Sequence, residues 1–162
     1  MELDENHRQH LRRCVDLACE ALEAGDDPLG SILVGADGSV LAERRNRERT
    51  GNPLAHPEID LARWAGENLA PDVRAGATVY TSGEHCAMCS AAHGWVGLGP
   101  IVYAVASSQL DAWRREWGAG PSPVRNLAVN EVAPAVSVLG PDPDLAEEMK
   151  ALHERAFRRG SS

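Results

Sequence analysis

The chain has 162 residues, 43% hydrophobic, 25% charged and 4% aromatic, a composition that excludes a disordered or fibrous protein and is ordinary for a globular one. Sixteen Lys and Arg against 24 Asp and Glu leave a net charge of −8, so a phosphate backbone would be repelled at long range and polymeric nucleic acid is disfavoured as a partner. One domain over residues 1–162 is expected, long enough to bury a core without staples.

Met1 to Arg13 is polar and charged, unlike a signal peptide, and no segment reaches the roughly 18 apolar residues of a spanning helix. A cytoplasmic protein with no membrane partner is the expectation. Leu11, Val15, Ala18 and Leu22 recur at helical spacing until Gly25-Asp-Asp-Pro28 stops them, which predicts an amphipathic first helix. Cys14 and Cys19 lie inside that pattern, five apart and on different faces, and read as small apolar core residues. Ser31–Val34 and Ser39–Ala42 flank Gly35-Ala-Asp-Gly38 as two antiparallel strands around a tight turn. The cluster Arg44, Arg45, Arg47 and Arg49 that follows reads as the solvated end of a strand or loop.

The polar stretch from Asn46 to Ala55 is a loop that delivers His56 to a helix beginning at Pro57 and closed by Gly66 to Pro71. Ala77–Thr81 is a strand, and Gly83 to Cys89 turns from it into another helix. Ile101–Val105 is a strand, Leu110–Trp117 a short helix, Val136–Leu139 a last strand and Asp142–Arg159 a charged closing helix. Helices interleave with strands throughout, which predicts an α/β protein: a three-layer α/β/α sandwich on a central mixed sheet of about five strands.

His56, Cys86 and Cys89 are three good zinc donors, and a catalytic zinc takes three protein ligands while leaving the fourth position to water. A structural zinc would need a fourth donor, for which His85 and His93 are the candidates. Both donor groups stand at helix starts, where unsatisfied N–H groups and the dipole favour thiolate over thiol by about a kcal/mol. Glu58 falls in the first turn after His56, close to the metal position and not shaped to be a further ligand, so it is read as the proton carrier.

His56-Pro-Glu58 followed by Glu84-His-Cys-Ala-Met-Cys89 matches the H-x-E…P-C-x-x-C signature of zinc deaminases acting on bases. From about Pro28 to Tyr103 the sequence resembles the cytidine deaminase superfamily, in the branch with cytosine, bacterial guanine and tRNA adenosine deaminases. Pro28-Leu-Gly-Ser-Ile32 and Thr78-Val-Tyr-Thr-Ser82 resemble that family's strands before the histidine and the cysteines. His85 stands where the family usually has proline, which makes it a candidate donor in the pocket, and Pro57 stands where alanine is common. The resemblance implies a bound Zn²⁺, hydrolytic release of ammonia from a free amino-bearing nucleobase or related heterocycle, and a homodimer. It also implies substrate contacts by Asn46, ten residues before His56, whose alternative is a turn residue, and by Trp95, which matches a tryptophan of the bacterial guanine enzymes and whose alternative is a core residue on the buried face of its helix. Ser107–Trp113 replaces the acidic specificity segment of those enzymes, which favours a cytosine-like or triazine-like ring with guanine as the alternative. In the closing helix Leu145, Met149, Leu152 and Phe157 form an apolar stripe for the chain's own core or for a second copy.

Overall fold

A computed structural model describes residues 2–160. The chain order is α1 (Glu5–Glu23), β1 (Gly30–Val34), β2 (Val40–Arg45), α2 (Pro57–Asn68), α3 (Pro71–Gly76), β3 (Thr78–Gly83), α4 (Ala87–Val96), β4 (Ile101–Val105), α5 (Ser107–Glu116), α6 (Val129–Val132), β5 (Val138–Leu139) and α7 (Pro143–Gly160). Five strands form one sheet in the order β2-β1-β3-β4-β5. β1 is antiparallel to both β2 and β3, whereas β3, β4 and β5 run parallel, so the mixed sheet is as expected.

Alternation along the buried strands sends side chains to two helical layers. Ile32, Val34, Tyr80, Val102 and Ala104 meet Leu11, Cys14, Val15 and Ala18 of α1 and Leu145, Ala146 and Met149 of α7. Leu33 and Val79 point the other way, onto Leu61, Ala62 and Ala65 of α2. The stripe on the last helix is therefore spent inside the chain, with Leu152 packed against the same cluster and Phe157 stacked obliquely on Trp117 at 5.9 Å. α1 seats so closely on β1 that a Cβ at Gly30 would lie 2.6 Å from the Cys14 carbonyl oxygen, so any larger residue there would force the layers apart.

α3 and α6 are short helices that the reading of the sequence passed over. The last strand shrinks from the expected Val136–Leu139 to Val138–Leu139, because the Val136 amide turns back to the Ala133 carbonyl and Ser137 gives β4 only its carbonyl, to the Ile101 amide. Among the described residues no helix is long and apolar enough to cross a membrane.

α7 also buries a histidine. Burial, reinforced by the Arg114 guanidinium, pushes His153 down to about 4 from an ordinary 6.5. The unfolded chain then binds the proton more tightly than the native one, so this contribution to stability is complete above pH 6.5 and is lost as pH falls toward 4. The gap is worth on the order of 3 kcal/mol. Urea midpoints should fall between pH 7 and pH 4.5, and His153→Leu should flatten that slope. An unchanged slope would remove His153 from the acid response.

Candidate active site

The site lies beyond the carboxyl ends of the parallel strands β3 and β4, the usual position for a ligand in an open α/β sheet. Gly83 and Val105, the last residues of those strands, line a cavity of about 290 Å³ with His56, Glu58 and Cys86. Two helix starts deliver the chemistry. His56 is the N-cap of α2 with Pro57 at its first position, and Cys86 is the N-cap of α4 with Cys89 one turn in. α2 packs on α4, which brings the two starts together.

His56 Nδ1 stands 3.6 Å from Cys86 Sγ and 3.7 Å from Cys89 Sγ. A tetrahedral zinc, with Zn–N about 2.0–2.1 Å and Zn–S about 2.3 Å, sets N and S roughly 3.5–3.6 Å apart. The donor atoms of all three residues lie within 4.8 Å of one another, so the cluster fits zinc in both size and chemistry. Its electrostatics agree. Hydrogen bonding from Cys89 and His56 pulls the Cys86 thiol down to about 4, while the proton shared with Cys86, together with burial, holds Cys89 up. Cys86 and Glu48 push the His56 imidazole up to about 10. Such a cluster is a well for positive charge, and a divalent cation displaces the protons that otherwise collect there.

Neither His85 nor His93 joins the cluster as a fourth ligand. They pack edge to face at 5.3 Å, buried and held uncharged by that burial, with His93 Nε2 bonded to the Gly99 carbonyl at 2.7 Å. The expected pocket role of His85 is corrected accordingly: its side chain turns into the interior under α4 and does not line the cavity.

Glu58 is 5% exposed and its carboxylate faces the cavity. Burial pushes it up to about 7. Beneath it the register pairs Ser31 with Thr81 across β1 and β3, and Ser31 Oγ donates to Thr81 Oγ1 at 2.8 Å. The single Thr81 proton has two acceptors in reach, Glu58 Oε1 at 3.0 Å and the Gly83 carbonyl at 2.8 Å. Both hydroxyls are fully buried, and it is the register of β1 against β3 that brings them together.

Asn46 is also corrected. It is fully buried and does not line the cavity: its Nδ2 donates to the Asp27 carbonyl and to Glu48 Oε1, and its Oδ1 accepts the Glu48 amide at 3.2 Å. This is an Asx turn, the local bond that asparagine makes two residues ahead in loops. What the turn presents is Glu48, whose Oε2 lies 3.2 Å from His56 Nε2. A carboxylate on the far nitrogen fixes the tautomer and aim of a ligating imidazole, and loss of such a partner typically costs ten- to a hundredfold in metal affinity. Glu48→Ala should therefore release zinc to a competing chelator at about that ratio, with Asn46→Ala showing a smaller effect of the same sign. An unchanged zinc affinity in Glu48→Ala would assign the contact to loop packing alone.

Trp95 is the third correction. It lies six residues past Cys89, about 240° around α4, so its indole points away from the metal side and is 92% exposed. It is neither a pocket residue nor a core residue of this chain.

Similarity to known proteins points the same way. The matching family model is the cytidine and deoxycytidylate deaminase zinc-binding region, over residues 4–105. Guanine deaminase of Bacillus subtilis is 39% identical over 101 residues, covering 61% of this chain and 64% of that protein. A probable cytosine deaminase of Schizosaccharomyces pombe is 30% identical over 112 residues, covering 67% of this chain and 66% of that one. The chain thus spans just under two thirds of the length of these relatives. The solved guanine deaminase from Nitrosomonas europaea superposes with a TM-score of 0.71 at 20% identity, over 98% of this chain and 87% of that one, which shows the fold. With a family model covering most of the chain, and that family's histidine and cysteines converging at zinc distances, the protein belongs to the cytidine and deoxycytidylate deaminase zinc-binding family.

Proposed function

We propose that residues 1–162 act as one zinc-dependent hydrolytic deaminase domain for a small amino-bearing heterocycle, a free nucleobase or a close relative. The observation that carries the reading is the three-donor cluster with a buried, uncoordinated carboxylate beside it in one cavity. His56, Cys86 and Cys89 would hold zinc, which supplies Lewis acidity and brings the ionisation of a water toward neutral pH.

The protons fall to Glu58. With a carboxyl group pushed up to about 7, it takes a proton from the attacking water near neutrality and returns it without a large penalty in either direction. It passes that proton to the ring nitrogen next to the amine-bearing carbon, then takes the second proton from the hydroxyl added at that carbon and delivers it to the departing amine. The carbon–nitrogen bond breaks, ammonia leaves and a carbonyl remains on the ring. Thr81 steadies Glu58 in both states, donating to the carboxylate when it is ionised and to the Gly83 carbonyl when Glu58 itself carries the proton.

Cytosine-like and guanine rings both present the required amidine. The replaced specificity segment favours the first, and the 39% identity to a guanine deaminase favours the second. Ammonia release from cytosine, guanine, adenine and an amino-triazine tests the reading directly. Turnover of one of them is expected; activity confined to tRNA, or none at all, would overturn it. We also propose a homodimer. Since α7 is engaged at home, the indole of Trp95, the most exposed of the large apolar side chains among the described residues, offers a surface to a second copy. A monomer in sedimentation at micromolar concentration would withdraw it.

A further inference from the structure

The cavity beside His56 holds more charged groups than deamination uses, and they separate once each is matched to a protein partner. The carboxylates are all engaged. Asp27 pairs with Arg49 at 3.3 Å, and Glu48 is held by His56 and Asn46. Glu84 receives the backbone amides of Ser107 and Val129 at 2.8 and 2.9 Å, and Asp111 pairs with Arg115 at 2.7 Å. Glu58 is the proton carrier. No acid on this wall is left without a partner.

The cations are different. Arg114 on α5 and Arg125 in the segment joining α5 to α6 both line the cavity, and neither makes a hydrogen bond or ion pair among the described residues. Ser107 and Ser122, on the same wall, have hydroxyls that donate to no protein group, and Ser122 Oγ accepts the Val124 amide at 3.2 Å. A wall whose acids are all engaged by protein donors, and whose arginines are engaged by no protein acid through a hydrogen bond or ion pair, is complementary to an acceptor-rich, negatively charged group. Guanidinium is the side chain best shaped for that task, because its planar fork meets carboxylate and phosphate oxygens two at a time. The chain carries a net charge of −8, so two cations on one cavity rim with no hydrogen-bonded acid run against the general field, even with Asp27 near enough to feel the Arg114 charge. A neutral base seated at Glu58 would leave both facing an uncharged edge.

From this we infer that the outer wall of the cavity, at Arg114 and Arg125, seats an anionic substituent of the substrate, a carboxylate on the ring or a phosphate beyond it. The inference rests on the deaminase reading for its inner half only; the seat itself is measurable by binding.

The test is calorimetry on the zinc-loaded protein with matched pairs: cytosine against 5-carboxycytosine, cytidine against cytidine 5′-monophosphate, and guanosine against guanosine 5′-monophosphate. The charged member of at least one pair should bind about tenfold more tightly or better at low salt, with the advantage shrinking as salt rises. The first pair reports a carboxylate and the other two a phosphate. Arg114→Gln with Arg125→Gln should abolish the advantage while leaving the neutral member within about twofold and the melting temperature unchanged, since both side chains are exposed. Equal affinity within every pair, or no binding by any charged member, would overturn the seat and mark the arginines as solvated surface groups. Ammonia release from neutral bases reports separately on the deaminase reading, so the two fail independently.

Discussion

Glu58→Gln should lose about a hundred- to ten-thousand-fold in kcat while keeping its zinc, its fold and its substrate affinity. Glutamine preserves the volume of the side chain and an oxygen to accept from Thr81, so the buried pair beneath it stays intact. What disappears is a group able to take and return a proton near pH 7, the property that burial confers on this carboxyl. Metal analysis and melting temperature measured beside the kinetics separate the outcomes. Zinc lost together with activity would make Glu58 a ligand, and near-normal turnover would move the proton work to another group.

Cys86→Ala should bind no zinc under conditions in which the wild type holds one per chain, and its turnover should fall below detection. The remaining donors, His56 and Cys89, leave the tetrahedron two short, and burial still opposes ionisation of the Cys89 thiol once Cys86 is gone. Stability should follow. A ligand present at a thousand times its dissociation constant adds roughly 4 kcal/mol to the native state, so stripping zinc from the wild type should lower its melting temperature to near that of the variant. Re-addition should restore the wild type alone. A metal-free wild type with full activity would end the zinc reading.

Much of this was legible in the sequence because it is local. The helix starts at His56 and Cys86 follow from proline punctuation and strand-to-helix spacing, and a helix start fixes where its first-turn side chains point. The five strands follow from short apolar runs between turn residues. What the sequence did not show depends on contacts between distant segments. Ser31 and Thr81 meet only through the register of β1 against β3, and nothing in either strand announces the other. Glu48 reaches His56 only because the loop turns on Asn46, so the asparagine was noticed while the residue it presents was overlooked. Trp95 went wrong in the opposite sense. Resemblance suggested its role, but the rotation of six helical residues carries it outward.

The cavity is built from two kinds of wall. The metal side is clamped by α2, α4 and the sheet, where a substitution disturbs the core as well as the chemistry. The opposite side is contributed largely by α5 and the irregular residues 118–128, which carry no strand and are mostly exposed. On the proposed function, changes at residues such as Ser122 and Arg125 would alter what the outer wall accepts at little cost to folding. Substrate preference and catalytic capacity would then reside in physically separate parts of the chain, free to drift at different rates.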